Sequence, residues 1–394
     1  VARSRASSGR KHSKVALVCA GGGVTGAVYE IGALRALEGL LERSVLDFDL
    51  YVGISGGAFV ASLLAHGISP REMYDQVASR DRSPFGVSDA LLFRLGLGDF
   101  LKSTRRAPKI LSQALLTTLT GEGRGPLDLA FSLFRLLPPG LLDNSGIQEY
   151  LEMLFRSRGR RDRFDDLTRE LYVVAVDLDS GEAVPFGEPG WRRLPVSKAV
   201  QASTALPGLY RPVHINGRDY VDGGVKKTAH INLAIRHGAD LVVCINPIVP
   251  ILNDRARGPL DGRLSEHGVT YVLDQVFRIA LHGRMQYGLE RYKAEHPEVD
   301  ILLVQPTRND MRMFSYDIMR LSARKVLAED GYRSVLSAFK ANRAAYVRLL
   351  GRHGMRLRDP SELPELPPVH PYRSTVARSL GVSLDLLESR LRRP

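Results

Sequence analysis

The stretch Val15-Ala-Leu-Val-Cys-Ala-Gly-Gly-Gly-Val-Thr-Gly26 is an apolar run of strand length that passes straight into a glycine loop. Behind it, residues 27–43 carry Val28, Ile31, Leu34, Leu37 and Leu41 at three- and four-residue steps, the spacing of one helix face. A loop between strand and helix aims unpaired backbone N–H groups at whatever lies above the helix start, a phosphate or an oxyanion. The pattern then repeats: residues 48–54 (FDLYVGI) read as a strand, Gly53-Ile-Ser-Gly-Gly57 as a turn and residues 58–66 as a helix. Two consecutive units of this kind predict a parallel βαβ arrangement with both glycine loops at one edge of the sheet, facing one crevice. The expected fold class is α/β, with a mostly parallel central sheet flanked by helices.

Three chemistries compete for the loops. Gly21 to Gly26 fits G-x-G-x-x-G, but a dinucleotide site wants an acidic residue at the end of the second strand to hold a ribose. Here Asp47 and Asp49 lie before or at the start of that strand, and its end carries Ser55. A P-loop would need Lys-Ser or Lys-Thr after the glycines, which is absent. Gly53-Ile-Ser55-Gly-Gly57 is a G-x-S-x-G turn with a strand before it and a helix after it, the setting in which glycines leave a serine hydroxyl exposed as a nucleophile. A nucleophile needs an oxyanion site and a base. The N–H groups of Gly22, Gly23 and Gly56 are candidates for the first. For the second, His214, His230, His237, His267 and His282 lack any Ser-Asp-His context, whereas Asp222-Gly-Gly224 follows a hairpin strand and leaves its carboxylate at a turn.

The rest of the chain extends the α/β reading. Residues 171–177 and 183–186 read as strands, and residues 213–222 as a hairpin through Asn216-Gly217. Residues 233–237 read as helical, 241–245 as a strand, 268–295 as a long amphipathic helix, 299–304 as a strand and 316–350 as a last long helix. Between residues 84 and 161, segments such as LLFRLGLGDFL, FSLFRLLPPGLL and YLEMLF predict a helical insertion of short amphipathic helices, either a cap on the core or a lipid-facing surface flanked by Arg105, Arg106 and Lys109. The expected organisation is a basic segment over residues 1–13, a catalytic domain over 14–350 and an extension over 351–394.

Composition narrows the partners. The chain of 394 residues is 44% hydrophobic and 25% charged and contains no apolar run near the ~20 residues that span a bilayer. No apolar segment follows the basic start, so no secretory signal is read there. A net charge of +12 favours anionic partners. The arginines are scattered and no nucleic-acid-binding motif accompanies them, so an anionic membrane surface is favoured over nucleic acid. Cys19 and Cys244 end apolar runs and read as buried free thiols of a reducing compartment. The expected location is cytoplasmic, with peripheral membrane contact.

Taken in order, GGGVTG (residues 21–26), GISGG (53–57), Ala202-Ser-Thr-Ala-Leu-Pro207 and Asp222-Gly-Gly224 resemble the four motif blocks of patatin-like phospholipases, over about residues 14–250. The resemblance implies a sheet sandwiched by helices, hydrolysis of phospholipid or lysophospholipid acyl esters without metal or cofactor, and a Ser-Asp dyad with no histidine. It implies Ser55 as nucleophile, Asp222 as base, and an oxyanion hole of Gly21, Gly22, Gly23, Gly26 and Gly56. One position departs: the family usually has Lys or Arg before the last loop glycine, where this chain has Thr25. Two alternatives remain, an α/β-hydrolase-type esterase with a Ser-His-Asp triad and a lipid-binding regulatory relative with an idle dyad.

Overall fold

The computed structural model describes residues 13–78, 94–95, 112, 138–253, 262–306 and 324–363. All of them belong to one compact unit, Val1–Pro364; a second unit, Glu365–Pro394, lies outside the described residues. From the N-terminus the elements are β1 (Val15–Cys19), α1 (Gly23–Leu40), β2 (Leu50–Ile54), α2 (Gly56–Ala65), α3 (Pro70–Ala78), β3 (Arg94–Leu95), β4 (Gly140–Asp143) and α4 (Ser145–Ser157). Then come β5 (Glu170–Asp177), β6 (Ala183–Phe186), α5 (Val196–Ser203), β7 (Gly208–Tyr210), β8 (Val213–Ile215) and β9 (Arg218–Asp222). The chain continues through α6 (Ile231–Arg236), β10 (Leu241–Ile245), α7 (Val269–Glu295), β11 (Asp300–Val304), α8 (Arg324–Ala341) and α9 (Arg343–Arg352).

The main sheet has eight strands in the order β11-β10-β1-β2-β5-β9-β8, with β6 also paired to β5. The five strands from β11 to β5 are parallel, so the α/β class with a mostly parallel, helix-flanked sheet holds. Strands β1, β2 and β10 are buried at every residue, which is why they read as continuous apolar runs and not as alternating ones. One edge of β5 changes partner part-way. Val174 pairs with Ile54 of β2 on one side and Pro185 of β6 on the other, and two residues later Val176 pairs with Val221 of β9 and Ala183 of β6. Because β6 holds one side throughout, β9 takes over the side that β2 leaves when the chain turns at Ser55. This switch brings the two ends of the future site together.

Several expectations need correction. Both early helices begin sooner than their apolar spacing suggests, at Gly23 and Gly56, because the glycines themselves form the first turn. Residues 140–143, expected within a helical segment, form β4, which pairs with β3 and β7 in a separate three-stranded sheet. Elsewhere in the insertion the expected helix at YLEMLF (residues 150–155) is present within α4, while residues 84–93, 96–111 and 113–137, and residues 316–323 of the last helix, lie outside the described residues. The last helix is two helices, α8 and α9, parted at Asn342, whose backbone (φ −120°, ψ 25°) leaves the helical region. Residues 353–363 stay on the core, with Leu357 bridging to Leu41 and the Arg358 N–H donating to Leu40 O at 2.7 Å. The hairpin turn falls at Asn216-Gly217, both at positive φ (49° and 81°). Cys19 and Cys244 are both buried free thiols.

Candidate active site

Ser55 caps the N-terminus of α2 with φ 54° and ψ −128°, a conformation that costs a side-chain-bearing residue about 1–3 kcal/mol. Steric crowding explains why glycines surround it. A Cβ on Gly53 would stand 2.5 Å from Ala58 Cα, one on Gly56 2.2 Å from Gly23 O, and one on Gly57 2.3 Å from Cys19 O. The start of α2 therefore presses against the carbonyl ends of β1 and the start of α1. Gly21 completes the contact, since a Cβ there would lie 3.2 Å from Ser55 Cβ. The sequence spends glycine wherever two backbones must touch, and the serine side chain is what is left to face the cleft.

A second serine fixes the turn. Ser203, the last residue of α5, accepts from the Ser55 N–H at 2.9 Å and donates from its hydroxyl to Val174 O at 2.6 Å. It thus fills the gap on β5 between the end of β2 and the start of the β9 pairing. Asp222, the last residue of β9, pairs with Ala175 and donates its own N–H to Ala205 O at 3.0 Å. The next residue, Gly223, has no room for a side chain, because a Cβ would be 2.3 Å from Val174 O. The chain turns there, the Asp222 carboxylate accepts from the Gly224 N–H at 2.8 Å, and the Ser55 hydroxyl stands in hydrogen-bonding reach of the same carboxylate.

Asp222 is only 3% exposed. Burial pushes its carboxyl up to about 6, against the opposing pull of its hydrogen bonds from Ser55 and Gly224. A carboxylate poised near neutrality is suited to accepting a proton from a hydroxyl at working pH.

The expected oxyanion glycines divide into two groups. Gly21 donates its N–H to Thr228 O at 3.2 Å and Gly26 donates to Gly22 O at 2.8 Å, so these two serve spacing and helix geometry. The N–H groups of Gly22, Gly23 and Gly56 have no acceptor among the described residues. They belong to the starts of α1 and α2, whose dipoles both place partial positive charge beside the Ser55 hydroxyl. Thr25, at the position of the family's loop cation, is buried at 3% exposure.

None of the five histidines weighed as a base lines the cleft that holds Ser55 and Asp222. His214 is exposed and pairs with Asp219 at 2.9 Å, and His237 stacks on Tyr172. His230 lies behind the site, bonded to the Gly223 backbone, and burial pushes its imidazole down to about 3, so it stays neutral. Among the described residues no group of three or more His, Cys, Asp or Glu side chains is placed to hold a metal ion.

The cleft encloses about 1270 Å³ of space, part of it open to solvent. Its floor is the Gly21–Gly23 loop, Ser55 and Asp222, and its walls are apolar: Val28 and Ile31 of α1, Phe59 of α2, Ile147 of α4, Leu206, Tyr210, Ile248, and Phe277 and Leu281 of α7. Arg324 at the start of α8 is the one cation among the described lining residues. Sequence reading missed Ser203 as a bridge and missed the α7 wall. The Ala202-Ser-Thr-Ala-Leu-Pro207 block marked the first without saying what it does; the second had no local signal.

A family model for patatin-like phospholipases matches residues 17–235, more than half of the chain. The chain belongs to that family. It is 22% identical over 221 residues to a protein of Invertebrate iridescent virus 6 named "Probable lipid hydrolase 463L", a match covering 56% of this chain and 63% of the viral protein. The chain thus matches less than two thirds of that relative's length. Among solved structures it is similar to VipD from Legionella pneumophila (15% identity, 89% of this chain and 68% of that one, TM-score 0.38). It is also similar to the human GIVD cytosolic phospholipase A2 (13% identity, 86% and 63%, TM-score 0.34). At such TM-scores the fold rests on the chain's own sheet order and on the family match.

Proposed function

We propose that the protein is a lipid acyl hydrolase that cleaves phospholipid or lysophospholipid esters through a Ser55–Asp222 dyad. The observation that carries this reading is the Ser55 hydroxyl, held at a glycine-crowded turn beside a buried carboxylate, at the floor of a cleft walled by hydrocarbon. In the first half-reaction Asp222 takes the Ser55 proton as Oγ attacks the acyl carbonyl, and the carbonyl oxygen becomes an oxyanion that Gly22, Gly23 and Gly56 receive. Collapse expels the alcohol, which takes the proton back from Asp222, and leaves an acyl ester on Ser55. In the second half-reaction Asp222 deprotonates water, the water attacks that ester, and the fatty acid leaves as the proton returns to Ser55. An apolar cleft suits an acyl chain, and three N–H donors at two helix starts suit a developing negative charge; loss of one such donor typically costs about 3–4 kcal/mol of transition-state stabilisation. The family match and the relative named as a lipid hydrolase support the substrate class. The test is a fluorophosphonate label on the intact chain with mass mapping of the adduct, alongside release of fatty acid from phospholipid and lysophospholipid. A single adduct on Ser55 that Ser55→Ala abolishes is expected; an adduct elsewhere, or hydrolysis undiminished in Ser55→Ala, overturns the assignment.

A further inference from the structure

Helix α7 (Val269–Glu295) is apolar on two opposite sides, the outer one over its first turns and the inner one from Phe277 onward. The inner side carries Leu281, Met285 and Leu289, buried on the core, and Phe277 and Leu281 wall the cleft. The outer side carries Val269 (69% exposed), Val272 (39%), Leu273 (62%), Val276 (57%) and Ile279 (52%), at three-, four- and seven-residue steps, with exposed Ala280 continuing the row. The expected amphipathic helix is corrected here: three of the residues that suggested it, Val269, Val272 and Val276, point away from the core. A contiguous apolar row left in water on the outer side of a helix marks a surface made for an apolar partner.

Charge on this part of the helix is turned inward. Asp274 and Arg278 pair with each other at 2.8 Å, their side chains only 21% and 4% exposed. No ionisable residue lies on the outer row from Val269 to Ala280. Beyond the row, exposed Arg284 follows, its guanidinium donating to Val225 O at 2.9 Å. Val225 itself is 43% exposed and lines the cleft next to Asp222-Gly223-Gly224, and Leu252, 40% exposed, sits beside Ile251, whose backbone is pinned to Gln275 of α7. An uncharged apolar face that gives way to an arginine at the cleft rim follows the order of a membrane surface, hydrocarbon first and phosphate after it.

We propose that the outer row of α7, residues 269–280, is the face by which the protein seats on a phospholipid bilayer, bringing the cleft behind Phe277 and Leu281 to the lipid. The choice of a bilayer as partner rests on the acyl-hydrolase reading. The same helix then has one side for the acyl chain inside the protein and the other for the acyl chains of the membrane. This attraction is hydrophobic, so it resists salt, unlike recruitment by the net charge of +12.

The test uses the full chain and its Leu273→Asp/Val276→Asp variant, sedimented with vesicles of phosphatidylcholine alone and of phosphatidylcholine with phosphatidylglycerol, at low and high salt. The wild type is expected to retain salt-resistant binding to both vesicles. The variant should lose that fraction by about tenfold or more and lose hydrolysis of vesicular phospholipid in proportion, while hydrolysis of a soluble short-chain ester and fluorophosphonate labelling stay at the wild-type level. Equal labelling certifies the fold of the variant. Unchanged salt-resistant sedimentation overturns the proposal, as does a wild-type dimer that the variant dissolves with no change in vesicle binding, which would make the row a contact between copies. If the wild type neither labels nor hydrolyses the soluble ester, the dyad reading falls, and sedimentation still decides the face.

Discussion

The two helices that wall the cleft, α1 and α7, both read as helices from the apolar spacing of their sequences and behave in opposite ways. Residues Ile31, Leu34 and Leu37 of α1 are essentially buried, packed in a layer that also holds α8. On α7, Val269, Leu273 and Val276 are more than half exposed. The periodic spacing that predicts a helix reports which side chains avoid water; it does not report what they avoid it with. Backbone contact makes the difference. Gly32 of α1 lies so close to α8 that a Cβ would meet Ala328 O, and Gly331 of α8 approaches Tyr29 O in return, so the two helices are locked by reciprocal glycines. Helix α7 has Gly283 and Gly288, but a Cβ on Gly283 would meet nothing within 4 Å, and one on Gly288 only Tyr292 of its own helix.

The largest effects should fall on the rigid, glycine-locked side. Ser55→Ala is expected to lower hydrolysis by about 10⁴-fold or more, on the scale of losing a nucleophile, with the fold retained by circular dichroism. Asp222→Asn should reduce turnover by a similar order, while single alanine substitutions of His214, His237, His267 and His282 leave most of it. A histidine variant as impaired as Asp222→Asn would favour a triad over the dyad.

The pH dependence of Asp222 sharpens the same point. As a base it must be ionised, so turnover should rise with pH through about 6 and level off above it. Stability runs the other way. The folded carboxyl is raised from 3.8 to about 6, so its contribution is fully present below pH 3.8 and is lost as the pH rises through about 6. Replacing it with Asn removes the cost of burying the ionised form. Asp222→Asn is therefore expected to gain on the order of 1–3 kcal/mol of stability above pH 6, a gain that fades toward pH 4. Denaturant melts at pH 4.5 and 7.5 compare the two; an Asn variant less stable than wild type at both would break the account of a carboxylate held against its solvation.

Legibility in the sequence follows the same division. Strands β1 and β10 could be bounded directly because parallel strands buried on both faces are continuous apolar runs, and the β8–β9 turn because Asn-Gly is the residue pair that tolerates positive φ twice. Ser55 and Asp222 were legible as types at turns. Their proximity was not, because it depends on β9 taking the side of β5 that β2 vacates, 48 residues after Val174 pairs with Ile54 (Asp222 minus Val174). Ser203 was hidden for the same reason: its bridge from Ser55 N–H to Val174 O joins three segments distant in sequence. The break at Asn342 and the outward row on α7 depend on neighbours that periodicity alone does not contain.

The smallest expected effect is the one most specific to the comparison. Leu34 and Leu273 are the same residue type on the two helices, one at 0% and the other at 62% exposure. Leu34→Ala removes a side chain from a close-packed layer and leaves a cavity, an expected loss of about 2–5 kcal/mol. Leu273→Ala removes a side chain that water already reaches, and its effect on folding in buffer should stay within about 0.5 kcal/mol. Equilibrium urea melts of the two variants measure both, with matched m-values certifying that the same unfolding transition is compared. A cost above ~1 kcal/mol at Leu273 would mean that the outer row is packed in solution, which would remove the contrast between the helices and leave no free face on α7 for a membrane.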